Sequence, residues 1–142
     1  MTSNPFLHVR SAKFRVLPGE DDELVNEGMY GKSLALYLQV KLAENGYKTP
    51  CVVCEDWGWW VEIAELGFTC GLGVYGLRID DTDELDICVT VLTPKGKKWS
   101  WRKLGLIDTT PTIERLHGTM MHILNADKEI SLVCESPDFP LE

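Results

Sequence analysis

The sequence predicts an α+β domain: a single, largely antiparallel sheet with two helices packed on one face. Two segments carry the 3.6-residue apolar spacing of helices, and between them run five extended stretches with period-two alternation. Those stretches are joined by turn signals, not by helices, so the expected order is β-α-β-β-β-β-β-α-β. That order lacks the strand–helix alternation of a Rossmann-type sheet.

With 142 residues the chain is expected to form one domain over 1–142, with 1–12 and 136–142 as loose tails. Lys13 to Leu17 reads as a short strand with Phe14 and Val16 on one face, closed by Pro18-Gly19. The acidic run Glu20-Asp21-Asp22-Glu23 reads as a solvated loop. From Tyr30 to Asn45, the positions Leu34, Ala35, Leu38 and Leu42 share one helix face, and Gly46 suits the left-handed residue that stops the helix. Leu36 and Val40 fall on a second side of that helix, which leaves room for a second helix or another subunit of a homo-oligomer.

Phe68, Cys70, Leu72 and Val74 alternate with Thr69, Gly71, Gly73 and Tyr75, giving a strand with one face stripped of side chains where something can approach closely. Leu85, Ile87, Val89 and Val91 form the clearest alternation in the chain. Pro94 to Lys97 is turn chemistry, and Trp99 and Trp101 alternate with polar neighbours as in a further strand with its indoles inward. Thr110-Pro111 opens the second helix, whose apolar face carries Ile113, Leu116, His117, Met120 and Leu124. A last strand covers Glu129 to Val133, and the prolines of the tail keep it out of a sheet interior.

The most unusual chemistry lies between Cys51 and Ala64. Cys51 to Glu55 and Trp59 to Ala64 read as two strands joined at Asp56-Trp57-Gly58, where Asp opens the turn and Gly tolerates positive φ. Glu55, Asp56, Trp57, Trp59, Trp60 and Glu62 therefore crowd one hairpin end. As a structural device, the indoles seal the core and the carboxylates accept nearby N–H groups. As a functional device, carboxylates beside exposed π faces form a candidate binding surface for cations and basic side chains.

Other patterns carry less. Gly71-Leu-Gly73-Val-Tyr-Gly76 spells GxGxxG, but it sits in a strand pattern followed by another strand, without the strand-turn-helix context a dinucleotide needs. Cys51 and Cys54 form CxxC with no second ligand pair, and an extended chain points them to opposite faces, so structural thiols are expected. His8, His117 and His122 assemble into no triad, and no nucleophile elbow is present. No cofactor, metal or catalytic residue is assigned.

The net charge is −8 and the isoelectric point about 4.9, which disfavours nucleic acid and suits an acidic face toward a basic protein partner. Lys95, Lys97, Lys98, Arg102 and Lys103 around Trp99 and Trp101 are the one basic, aromatic segment that favours nucleic acid. No apolar run has membrane-spanning length, no secretory signal pattern opens the sequence, and five cysteines sit in strand-like runs. A cytoplasmic protein is the expectation.

The helix segment Gly31-Lys-Ser-Leu34-Ala35-Leu-Tyr-Leu38, followed by Gly46-Tyr47 and Glu55-Asp56-Trp57-Gly58-Trp59, resembles small bacterial proteins of uncharacterised function that pair such a helix with an EDWGW hairpin. The resemblance implies a bacterial cytosolic α+β domain and assigns no site. The function expected from the residues is a non-enzymatic binding or interaction module. A small-ligand or hydrolase-like protein with a pocket of Trp59, Trp60, Tyr75 and Glu62 is the alternative, and weak nucleic-acid binding through Lys95 to Lys103 is the third.

Overall fold

The computed structural model describes residues 5–93, 98–100, 105–107 and 109–137. Strands β1 (Phe6–Arg10), β2 (Val52–Glu55), β3 (Gly58–Ile63), β4 (Cys70–Arg78), β5 (Leu85–Leu92) and β8 (Ser131–Ser136) form one six-stranded sheet. Its order is β2-β3-β4-β5-β1-β8 and every pairing is antiparallel. Strands β6 (Lys98–Ser100) and β7 (Gly105–Ile107) pair separately as a two-stranded sheet. Helices α2 (Lys32–Glu44) and α3 (Thr110–Ala126) share one face of the large sheet, α2 over β2, β3 and β4, and α3 over β5 and β8. The α+β architecture expected from the periodicities is the one observed.

Alternation explains which residues meet the helices. Trp59, Val61 and Ile63 of β3, Leu72 and Val74 of β4, Leu85, Ile87, Val89 and Val91 of β5, and Leu7 and Val9 of β1 all point to one side. They close on Leu34, Ala35, Leu38 and Leu42 from α2 and on Leu116, Met120, Ile123 and Leu124 from α3. Each fully buried aliphatic side chain contributes about 1.5–3 kcal/mol relative to exposure. α2 ends where the sequence says it should, with Gly46 at φ +90 beyond Asn45.

Four expectations are corrected. Residues 6–10, expected within a loose arm, form β1 in the sheet interior between β5 and β8, because Leu7 and Val9 supply two inward apolar positions beside the buried Val89 and Ile87 of β5. The strand expected at Lys13 to Leu17 is reduced to a single bridge, Arg15 to Glu84, although Phe14 is buried as its face predicts. The acidic run is not a solvated loop: Glu20–Glu23 is the short helix α1, and Glu20 is wholly buried. The last strand runs on to Ser136, past the expected end at Val133. Leu36 and Val40 are exposed on α2, at 37% and 56%. Trp101 and the turn Pro94 to Lys97 lie outside the described residues.

The burial of Glu20 has a specific cause. Gly31 precedes α2 and offers no side chain to accept the first orphan N–H groups of the helix. One Glu20 oxygen accepts from the Gly31 and Lys32 N–H groups at 3.0 and 3.1 Å, and the other accepts from Leu17 N–H at 3.0 Å. The negative charge sits at the positive end of the helix dipole. Tyr30 is held alongside by its hydroxyl donating to Asp21 at 2.5 Å and by a backbone pair with Gly76 at 2.8 Å in each direction.

Candidate functional site

The helices cover one face of the sheet; the hairpin corner projects side chains onto the other. β2 and β3 are joined across Asp56-Trp57, with Glu55 opposite Gly58. Neither Asp56 nor Trp57 takes positive φ, and Gly58 carries it at +154. A Cβ on Gly58 would lie 2.6 Å from the Val74 carbonyl oxygen, so glycine is required for the hairpin to lie this close to β4.

Strand register then sorts the six candidate residues. Trp59 is on the helix side, 2% exposed, with Lys32 Nζ 5.7 Å from its ring centroid and its indole N–H buried without a partner. It is a core residue, and the proposed pocket of Trp59 with Trp60 is excluded because successive strand residues face opposite ways. Trp60 and Glu62 lie on the open face, both half-buried. Glu55 and Asp56 are exposed, and Trp57 is half-buried at the turn.

Trp57, Trp60 and Tyr75 form the aromatic wall. Trp57 meets Trp60 edge-on at 6.3 Å between centroids and Tyr75 at 5.5 Å with a 47° tilt. Phe6 extends the row, 6.3 Å from Tyr75. Glu55, Trp57, Trp60, Tyr75, Leu92 and Thr93 line a shallow, open cleft of about 570 Å³. This is within the usual size range of small-molecule sites. Burial pushes the Tyr75 phenol up to about 12, so its hydroxyl stays protonated at neutral pH.

The glycines of β4 are what give the wall its shape. A Cβ on Gly71 would lie 2.6 Å from the Trp60 ring and in collision with the Val61 carbonyl; one on Gly73 would lie 2.5 Å from Leu92 and 2.9 Å from the Tyr75 hydroxyl. The expected close approach is therefore made by the protein's own indole and leucine, which lie over the bare backbone.

The electrostatics of the corner are one-signed. Among the described residues no cationic side chain is within ion-pair distance of Glu55, Asp56 or Glu62, and no N–H group donates to their carboxylates. Elsewhere Glu23 pairs with Lys32, Glu65 with Lys48 at 2.8 Å and Glu129 with Lys13 at 3.6 Å, while exposed Asp22, Glu27, Asp80, Asp81, Glu84 and Glu114 have, like the corner, no ion pair among the described residues. The corner carboxylates are thus not satisfied from within, as sealing the hairpin end would require.

The remaining sequence candidates resolve individually. Cys51 and Cys54 are half-buried free thiols, and GxGxxG lies inside β4 with no following helix. His8 bonds Asp86 on the open face, while His117 Nε2 is 3.0 Å from Glu135 at the edge of the helix layer. Among the described residues no group of three His, Cys, Asp or Glu side chains has metal-binding geometry, and no helix is long and apolar enough to cross a membrane. Lys95, Lys97, Arg102 and Lys103 lie outside the described residues. The sequence reading set Tyr75 beside Trp60, and the two do line one cleft; it missed Leu92 and Thr93, and the period-two alternation of β5, which turns Leu92 to the open face opposite Gly71, was the signal available for the first.

No family model, curated protein or solved structure matches this chain.

Proposed function

We propose that this protein is a non-enzymatic interaction module that captures a basic segment of a partner protein at the Glu55–Trp57–Trp60 cleft. The observation that carries the reading is the Glu55 carboxylate, without a cation of its own among the described residues, at the mouth of a cleft walled by two indoles and a phenol. A guanidinium entering there would stack on a ring face and meet a carboxylate, which together favour Arg over a neutral residue. The net charge of −8 steers basic partners toward the protein at a distance.

Titrating the protein with a short arginine-containing peptide and following tryptophan emission tests this. Binding should weaken about tenfold when the arginine is replaced by glutamine, and by a similar factor in Glu55→Gln with Asp56→Asn, from loss of charge-assisted and cation–π contacts. Equal affinity for both peptides would refute it. The cleft volume supports a second reading, a small cationic ligand held by the same walls. A cytosolic setting fits both readings, since all five cysteines stand as free thiols.

A further inference from the structure

β2 is an edge strand, paired on one side with β3 and on the other with nothing among the described residues. The bond from Glu62 N–H to the Cys51 carbonyl, 3.0 Å, fixes which of its groups face inward. In an antiparallel pair the bonded positions alternate, so Cys51, Val53 and Glu55 turn their N–H and C=O groups toward β3. Val52 and Cys54 therefore present theirs to the open edge. Natural edge strands are blunted by shortness, charge, proline or a bulge. Val52-Val53-Cys54-Glu55 is four residues long and ends on a charge, but it carries no lysine, proline or bulge, and its register with β3 runs without a shift.

The side chains of the edge lead to the cleft. Val53 is 41% exposed and sits on the open face directly opposite Trp60, and Glu55, two residues on, is at the cleft mouth. We infer that the partner segment docks as an added strand on β2, bonded to the Val52 and Cys54 main chain, with a basic side chain opposite Val53 or Glu55 reaching across β2 to Trp60. This rests on the proposed capture of a basic segment and specifies its backbone state: extended, with alternate residues facing the cleft. Charge selects the occupant. A second copy of this chain pairing through the same edge would bring another Glu55, another Asp56 and a second net charge of −8 to a corner that lacks a cation, whereas a basic segment neutralises it.

The test uses the full chain and an acetylated hexapeptide alternating arginine with threonine, compared with the same peptide N-methylated at every second backbone nitrogen so that one hydrogen-bonding edge is blocked. Cys54→Pro removes the outward N–H without touching the β3 ladder, a position where an edge strand accepts proline. We expect at least tenfold weaker binding for the N-methylated peptide and for Cys54→Pro, with slowed hydrogen exchange at the Cys54 amide when the parent peptide is bound. Thermal unfolding of Cys54→Pro verifies that its sheet is intact, and the N-methylated peptide tests the edge on the unaltered protein. Equal affinities for the two peptides, with Glu55→Gln still weakening both, would overturn strand addition while leaving the cleft as a cation site. No binding of either peptide would overturn both readings. A dimer that Cys54→Pro dissolves would assign the edge to a second copy and overturn the basic segment as its occupant.

Discussion

The carboxylate of Glu20 accepts the N–H of Gly31 at 3.0 Å, so the helix that closes one end of the core is capped by a residue eleven positions away on another helix. α1 and α2 are therefore one unit, and the loop between them is closed by an acid at a helix amino terminus.

Glu20→Ala should destabilise the protein by about 2–3 kcal/mol, since it strips three N–H groups of a charged acceptor. Urea unfolding would show this as a lower midpoint. A midpoint within error of the wild type would mean that water replaces the cap.

Trp59 and Trp57 should separate cleanly. Trp59→Ala opens a cavity in the core and should cost about 3–5 kcal/mol, whereas Trp57→Ala loses only aromatic contacts, about 1 kcal/mol, while weakening peptide capture. Parallel denaturation and binding curves decide this; a larger stability loss at Trp57 would contradict the division between core and site.

Gly71→Ala should be worse than Gly73→Ala. At Gly71 the new methyl meets the Val61 backbone carbonyl, which cannot move without disturbing β3, as well as the Trp60 ring. At Gly73 it meets the ends of Leu92 and Tyr75, which can swing aside. Overpacking of the first kind costs about 1–3 kcal/mol. The Trp60 emission maximum should shift in Gly71→Ala, and equal stability of the two variants would refute the contrast.

Acid should weaken the fold through Asp127. Its carboxylate accepts from Lys13 Nζ and the Tyr37 hydroxyl, each at 2.7 Å, and from the Glu129 N–H at 2.9 Å. These bonds, that from Lys13 first, lower its pKa from 3.8 to about 2. A lowered folded-state pKa gives stability that is present above the unfolded value and is lost as pH falls through the folded one. Stability should thus decline between about pH 4 and pH 2, and Asp127→Asn should flatten that limb. An unchanged slope in the variant would assign the acid sensitivity elsewhere.

Native thiols should react in order of access. Burial pushes the Cys70 thiol up to about 11 and the Cys88 thiol to about 12, with Asp86 adding to the latter, while Cys134 is exposed. Brief alkylation of the folded protein at about pH 8, read by mass spectrometry, should label Cys134 first and leave Cys70 and Cys88 unmodified. Early labelling of Cys88 would show that the open face breathes.

The strands with four inward positions were readable from sequence because sustained alternation, as in Leu85 to Val91, has no helical counterpart. β1 was not, since Leu7 and Val9 are only two inward residues and their meaning comes from β5 and β8. Phe14 and Val16 mimic such a strand, yet only Arg15 forms a bridge. At the site, alternation does separate Trp59 from Trp60, and the hairpin turn was legible from Asp56-Trp57-Gly58. What no local pattern contains is distance: Glu20 reaching Gly31, or Leu92 of β5 joining Trp57 of the hairpin in one cleft, arises only when the sheet is assembled.

The placement of β1 has a consequence for how the molecule comes into being. Leu7 pairs with Val89 and His8 with Cys134, so this segment, synthesised before the strands it joins, stays without its neighbours until most of the domain has emerged from the ribosome. Closure of the sheet is then a late, long-range event, which slows assembly and leaves a sticky β-edge waiting for its mates.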